Sequence, residues 1–386
     1  MPDPETLLPQ PCRNEATLLL YSGGFAPVGG IETLLHGLMV GMSERGIAAE
    51  MVCWGGSSEL LSDLRCRGLR VRRLPWRWGC RWNWPDRLLR IAGARAVHRS
   101  DVVVFGKMLD NETLRMLANC KGRDSASSFV LITPYHPSEM WRMGAPPDHV
   151  INCFDLIIVQ AASFVDGLRA SGYRGEIRII PYPPPIPPPS CPFPPKSTLR
   201  IGYLGRLAAQ KNLPYLLESI GMVRKTRDVS LELFGEGIEK RRLKAVAKEL
   251  GLDRHVTFHG AIPRGAIPAA VASCHLFALS SLTEGQCLAA LEVLACGRPV
   301  VATPVGALPE ILSDPQLGML APLADPDGYA AALCEVGDDV MGGILHPRKI
   351  QDAYSLRYPH QEIMDEYAHV FRNLHRAPML GPAVVS

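Results

Sequence analysis

Thr283-Glu284-Gly285-Gln286-Cys287-Leu288-Ala289-Ala290-Leu291-Glu292-Val293-Leu294-Ala295-Cys296-Gly297-Arg298-Pro299-Val300-Val301-Ala302 holds a loop, a helix, a stop and a strand. Cys287–Ala295 is rich in helix formers. Gly285 is read as opening the helix, and Gly297 as closing it with Pro299 beyond, since proline cannot continue a helix. Pro299–Ala302 is short and β-branched, the pattern of a buried strand. The first amides of the helix, near Gln286 to Leu288, have no intrahelical acceptor and form a ready site for an anion. Glu284 and Glu292 stand eight residues apart, about 12 Å if helical throughout. Carboxylates repel phosphate, so the two suit hydroxyls on either side of one, a sugar at Glu284 and a ribose at Glu292. Spacing alone fits equally a helix with two incidental acids.

The same alternation runs outward in both directions. Upstream, Ala16–Tyr21, Ala48–Cys53, Leu69–Leu74, Asp101–Phe105, Phe129–Thr133, Asp155–Val159 and Ile177–Ile180 read as buried strands. Stretches such as Ile31–Glu44 and Ser163–Ala170 between them read as helices. Pro181 to Pro195 then holds ten prolines in fifteen residues, a density that only an extended linker tolerates. Beyond it the strands Leu199–Leu204, Leu231–Phe234, His255–His259, Leu276–Leu279 and Pro299–Ala302 alternate with helices at Leu213–Arg224, Glu239–Glu249, Cys287–Ala295 and Pro326–Val336, and a last helix fits Pro359 to Leu374. The expected division is a disordered tail (1–14), a first doubly wound α/β domain (15–182), the linker (183–197), a second such domain (198–358) and a C-terminal helix and tail (359–386). Open α/β sheets bind ligands at the carboxyl ends of their strands, so the cleft between the two domains is the expected site.

Composition narrows the function classes. With 386 residues, 47% of them apolar and 20% charged, the chain can bury two cores. Its eleven cysteines contain no C-x-x-C pair, so neither a disulfide framework nor a zinc site is expected, and reduced thiols in the cytoplasm are the simpler reading. Met1 to Gln10, with Asp3, Glu5 and three prolines, does not read as a secretory leader. No apolar run approaches the roughly 18 residues needed to span a bilayer. The expectation is a soluble protein or one peripheral to a membrane. The charge is uneven: residues 65–99 hold eleven arginines against one acid, Asp86, together with Trp76, Trp78, Trp82 and Trp84.

The residues now assembled resemble a family. A glutamate, seven residues, a second glutamate and a Gly-x-Pro-Val-Val-Ala strand are similar to the donor-binding signature of retaining glycosyltransferase family 4. Gly205-Arg206-Leu207 followed by Lys211-Asn212 resembles its diphosphate loop after the first strand of the second domain. There Gly205 lets the backbone approach, while Arg206 and Lys211 present charge to a pyrophosphate. Phe234-Gly235-Glu236-Gly237 resembles the turn beside the nucleotide, and Phe258-His259-Gly260 the strand end that frames the base. Gly306-Ala307-Leu308-Pro309-Glu310 and Asp325-Pro326-Asp327 complete the order. Each piece is weak alone; Gly235-x-Gly237 lacks the third glycine of a dinucleotide fingerprint, Lys240 standing there. Five in order within one domain are specific. In the first domain, Ser22 to Glu32, with Gly29 and Gly30, resembles the loop that approaches the sugar and diphosphate from across the cleft. His136, in Ile132-Thr133-Pro134-Tyr135-His136-Pro137, resembles the histidine that contacts the donor sugar.

The resemblance implies the GT-B fold, two Rossmann-like domains facing across a cleft, and retaining transfer from a nucleotide-diphosphate sugar. Catalytic roles fall to His136, Arg206, Lys211 and Glu284. Donor contacts fall to Gly29, Gly30, Gly205, Arg206, Lys211, Gly235, Glu236, His259, Glu284, Gly285, Gln286, Cys287, Leu288 and Glu292. UDP is the expected nucleotide, because UDP-sugars are the commonest donors of such enzymes. No metal or cofactor is expected: Asp325-x-Asp327 precedes a helical pattern and reads as a helix cap, and Arg206, Lys211 and helix amides meet the leaving charge. Two departures bear on this. Gly285-Gln286-Cys287 replaces the usual Gly-Phe-Gly kind of sequence, which alters the sugar pocket. Ile180-Pro181-Tyr182-Pro183 replaces the usual signal before the linker. A non-catalytic sugar-nucleotide-binding protein and another enzyme of the same fold, an epimerase or a phosphorylase, remain as alternatives. The acceptor is not legible. For residues 65–99 the expected partner is acidic membrane lipid on the inner face of the membrane, presenting a lipid-linked acceptor; an anionic soluble acceptor competes, and no nucleic-acid motif is present.

Overall fold

The computed structural model of the chain describes residues 17–22, 30–54, 59–74, 100–106, 127–133, 151–195 and 197–376. Among them, the first half runs β1 (Thr17–Ser22), α1 (Gly30–Glu44), β2 (Ala48–Trp54), α2 (Glu59–Cys66), β3 (Arg70–Leu74), β4 (Val102–Phe105), β5 (Ser128–Ile132), β6 (Leu156–Val159), α3 (Ser163–Ala170) and β7 (Glu176–Ile179). These strands form one parallel sheet in the order β3-β2-β1-β4-β5-β6-β7. Strands such as Val102-Val103-Val104-Phe105 are apolar throughout and wholly buried, as a parallel sheet covered on both faces requires.

The second half runs β8 (Leu199–Leu204), α4 (Leu213–Val223), β9 (Val229–Phe234), α5 (Lys240–Glu249), β10 (Val256–Gly260), α6 (Ile267–Ala272), β11 (Leu276–Leu279), α7 (Leu288–Ala295), β12 (Val300–Ala302), α8 (Leu308–Ile311), β13 (Gly318–Leu320), α9 (Pro326–Gly342), α10 (Pro347–Arg357) and α11 (His360–Arg376). Its sheet is also parallel, in the order β10-β9-β8-β11-β12-β13. In each sheet the strand order reverses beside the first strand, between β1 and β4 and between β8 and β11. The crevice at such a reversal is where open α/β sheets hold ligands. The fold is therefore two doubly wound Rossmann-like units.

Three sequence expectations are corrected. The helix of the deciding stretch starts at Leu288, not at Gly285; Cys287 precedes it with left-handed backbone, φ 59°. Glu284 to Cys287 is therefore bent loop, and the helical rise cannot be used to space the two glutamates. β13 and α10 carry too little apolar periodicity to be read in advance. Finally, α11 returns to the first half. Arg45 on α1 meets Asp365 at 2.7 Å and Gln361 at 2.7 Å, and Arg372 donates to the Arg45 carbonyl.

Pro181 to Pro195 has no regular structure, yet its carbonyls are taken. Proline removes donors, not acceptors, and side chains of the second half supply what is needed. His360 Nδ1 donates to Pro184 O (2.6 Å), Tyr354 OH to Pro185 O (2.8 Å) and Gln351 Nε2 to Pro188 O (3.0 Å). Arg298, fully buried, donates to the carbonyls of Cys191 and Pro192 and lies over the Phe193 ring. Burial pulls the Arg298 guanidinium down from its ordinary value, and these carbonyls stand in for an anionic partner. The aspartate expected as a cap is one: extended Asp325 accepts the Gly328 amide at 3.0 Å, at the start of α9.

Candidate functional site

At the carboxyl edge of the second sheet, glycine lets three strand ends meet. The Gly205 amide donates to Phe234 O and the Gly235 amide to Gly260 O. A Cβ on Gly235, whose φ is +152°, would stand 1.8 Å from the Gly205 carbonyl oxygen, so no other residue fits there. Glu236 is drawn off into an ion pair with Lys240, and its carbonyl accepts the Leu207 amide. His259 stacks on Phe234 at 4.5 Å and its Nε2 meets Glu232 at 2.8 Å. The ring nitrogen that would face a base is thus already engaged with Glu232.

Across the strand-order reversal, the loops after β8 and β11 bring charge together. Lys211 Nζ lies 2.5 Å from Glu284 Oε1, and Ser281 Oγ donates to the same oxygen at 2.6 Å. The side chains are 16% and 8% exposed, so the charges are held largely out of water. Burial pulls the Lys211 ammonium down, but the Glu284 charge and hydrogen bond outweigh it and its pKa is raised. Arg206 is exposed beside them, without an ion pair among the described residues. Residues 73 positions apart meet because both loops leave adjacent strands at the same edge.

Among the described residues, two that are not glycine have positive φ, and both flank this pair: Asn212 (48°) follows Lys211, and Cys287 (59°) follows Gln286. Residues held in that sparsely populated region concentrate at functional sites. At Cys287 the observation explains a family pattern, because glycine of the Gly-Phe-Gly kind suits a left-handed residue and this chain places cysteine there. The thiol is buried against Glu284, and burial, reinforced by that charge, pushes its pKa well up. Gly285 O accepts the Ala307 amide at 2.9 Å, seating the loop on the Gly306 turn. The amides at the start of α7 open beyond it. Glu292 sits half-buried on α7, its pKa raised by burial, with the Arg264 charge opposing the rise.

The first half reaches this edge. A Cβ on Gly30, at the start of α1, would lie 3.4 Å from Leu288 Cδ1 at the start of α7, so two helix N-termini from opposite halves face one another. Arg264 donates to Thr33 Oγ1 at 3.3 Å, and both carboxylate oxygens of Glu310 accept amides at the start of α3, from Ala162 and Ser163 at 3.2 Å. Gln286 Oε1 accepts the Tyr182 amide at 2.6 Å. His136 and Gly29 lie outside the described residues. Sequence reading misses Ser281, Glu310 and Tyr182 as site residues; only Ser281, three residues before Glu284, leaves a local signal.

Residues 198–339 match the family of group 1 glycosyl transferases. The second half of the chain is a group 1 glycosyltransferase domain. Over 136 residues this domain region is 33% identical to a phosphatidylinositol N-acetylglucosaminyltransferase component from Arabidopsis thaliana, covering 35% of this chain and 30% of that protein. A GDP-mannose-dependent alpha-(1-6)-phosphatidylinositol monomannoside mannosyltransferase of Mycobacterium tuberculosis is 25% identical over 353 residues, 83% of this chain and 88% of that one. The chain spans less than half the length of several other curated relatives that it matches. The fold of the glycosyltransferase is shared with the Anabaena protein HepE in complex with UDP and glucose, at a TM-score of 0.75 and 18% identity, over 93% of this chain and 100% of that one. Among the described residues no group of three or more His, Cys, Asp or Glu is arranged to hold a metal, and no helix is long and apolar enough to cross a membrane.

Proposed function

We propose that this chain transfers a hexosyl group from a nucleoside diphosphate, with retention, to a lipid-borne inositol acceptor. The observation that carries the donor half is the buried Lys211–Glu284 pair, set below the open amides of α7 with Arg206 exposed beside it. As the glycosidic bond breaks, negative charge gathers on the β-phosphate. Arg206, Lys211 and the α7 amides meet that charge in a site from which water is largely excluded. Glu284, exchanging Lys211 for hydroxyls of the sugar, holds the sugar in place, and Glu292 takes the ribose. The acceptor hydroxyl attacks from the face the diphosphate leaves, so configuration is kept without a protein nucleophile. Closure of the two halves keeps out water that would hydrolyse the donor.

The acceptor half rests on the relatives, whose names give phosphatidylinositol and a phosphatidylinositol monomannoside as substrates. It also rests on the arginines and tryptophans of residues 65–99. The experiment is a donor matrix: UDP- and GDP-sugars offered with phosphatidylinositol vesicles, with soluble inositol phosphate and with no acceptor, the products identified by mass spectrometry. A glycosylated lipid is expected. Product on inositol phosphate alone would replace the lipid by a soluble acceptor, and binding without turnover would favour a sugar-nucleotide-binding protein. Turnover is expected to survive exhaustive EDTA, because fixed cations and amides already face the diphosphate; loss on chelation with recovery in manganese or magnesium would overturn the charge assignment.

A further inference from the structure

Gln286 is one of the two residues by which the donor loop departs from its family, and its side chain does not open toward the cleft. It is 2% exposed, and its Oε1 takes the amide of Tyr182, the residue at which the chain leaves the first sheet for the linker. Tyr182 continues the connection: its hydroxyl donates to Thr133 O at 2.9 Å, at the carboxyl end of β5. The Thr133 amide in turn donates to Ile158 O on β6. One side chain of the second half is thus linked through one residue to the edge of the first sheet where the acceptor side of the cleft lies.

This seam holds hydrogen-bonding capacity that it does not spend. Gln286 Nε2, Thr133 Oγ1 and Gln160 Oε1 are buried without a partner among the described residues. Gln160 follows β6 directly, and its amide nitrogen reaches Ile158 O at 3.4 Å. Thr133, Gln160 and Tyr182 therefore stand at the ends of neighbouring strands. A buried polar group left unpaired costs about 1–3 kcal/mol, and one donor with two acceptors gathered at one seam can pair in a second arrangement. Gln286 is also the neighbour of Cys287, held at positive φ, so a change in loop shape moves its amide first.

We propose that Gln286 is a positioning residue: through Tyr182 it ties the shape of the donor loop to the carboxyl edge of the first sheet, and the unpaired groups of the seam take up new partners when the loop shifts around a bound sugar nucleotide. The proposal deepens the functional reading above and rests on it for its kinetic consequence.

Hydrogen exchange tests the tie without reference to activity. Between residues 181 and 189, Tyr182 and Ile186 alone carry an amide hydrogen, the other seven residues being proline. Ile186 is 66% exposed, so the slow hydrogen of this segment is that of Tyr182. In Gln286→Met, which keeps side-chain length and removes the acceptor, that hydrogen is expected to exchange about tenfold faster. Affinity for UDP or GDP is expected to stay within about threefold while kcat in the donor assay falls about ten- to a hundredfold, as a misplaced loop predicts. Unchanged Tyr182 exchange in the variant, or wild-type kcat once exchange has risen, overturns the proposal. Fast Tyr182 exchange in the unsubstituted protein overturns it with no variant at all. If the unsubstituted protein moves no sugar from any donor, the functional reading fails visibly and separately, and exchange alone decides the tie.

Discussion

Lys211 and Glu284 hold each other at 2.5 Å where little water reaches, so an arriving donor must offer each a better partner, phosphate for the ammonium and hydroxyls for the carboxylate. Lys211→Ala is expected to lose about 1.5–3 kcal/mol of nucleotide affinity, the size of a charge-assisted contact, and also to lower stability, because Glu284 is left buried without its counter-ion. Arg206→Ala, at an exposed position, should lose affinity alone. Calorimetry finding both variants unchanged toward UDP and GDP would remove the donor site from this edge. Glu292 carries the opposite sign. Its carboxyl is raised by burial, so ionisation opposes folding: the stability tied to the protonated form is present at low pH and lost as pH rises through the raised value. Glu292→Gln should therefore raise the melting temperature at neutral pH and leave it unchanged well below the ordinary carboxylate range, while weakening nucleotide binding. A variant that melts lower at pH 7 would show that the carboxylate is held by a partner of its own. Glycine at Cys287 relieves a backbone strain of about 1 kcal/mol at the loss of a small buried thiol, so Cys287→Gly should unfold within about 1 kcal/mol of the parent.

Helices and strands are legible where a pattern lies within one stretch of chain. Asp325 is readable as a cap from Pro326 and the helix behind it, and replacing it by Ala should cost about 1 kcal/mol by denaturant unfolding; no change would mean that Pro326 alone fixes the start of α9. β8 is readable to its ends because Leu199–Leu204 is apolar and bounded by Ser197 and Gly205. β13 is not, because three residues led by glycine hold no period, and α10 is not, because its polar side chains point to linker carbonyls that no local pattern records. The start of α7 is misplaced from sequence since glycine signals a turn but not which neighbour takes positive φ. The site divides the same way. Arg206, Lys211 and Glu284 follow strands of recognisable pattern, so their meeting could be expected. The contacts of Gln286 with Tyr182 and of Glu310 with Ala162 and Ser163 join residues more than a hundred positions apart, and only the packing of the two halves creates them.

At the scale of the whole molecule, residues 65–99 decide where the protein works. Among the described arginines of that run, Arg67 is paired with Asp63 and Arg72 with Glu50, so part of the positive charge is spent within the fold. Even four free arginines at about 1 kcal/mol each give reversible, salt-sensitive attachment to an acidic bilayer. Sedimentation with liposomes should rise with the fraction of acidic lipid and fall in high salt. If replacing Trp76, Trp78, Trp82 and Trp84 together by Ser changes nothing, the segment is a basic surface only. The linker bears on a different property. Its carbonyls are fastened along their length to side chains of Arg298, Gln351, Tyr354 and His360, so the prolines ride with the second half as a stiff rib. Flexure is then left to two short spans, the crossing at 180–183 and the return at 357–360 into α11. Two fixed pivots define a door: the halves can swing about the line joining them, while sliding and twisting are resisted, and each opening carries Gly30 away from Leu288 along the same arc.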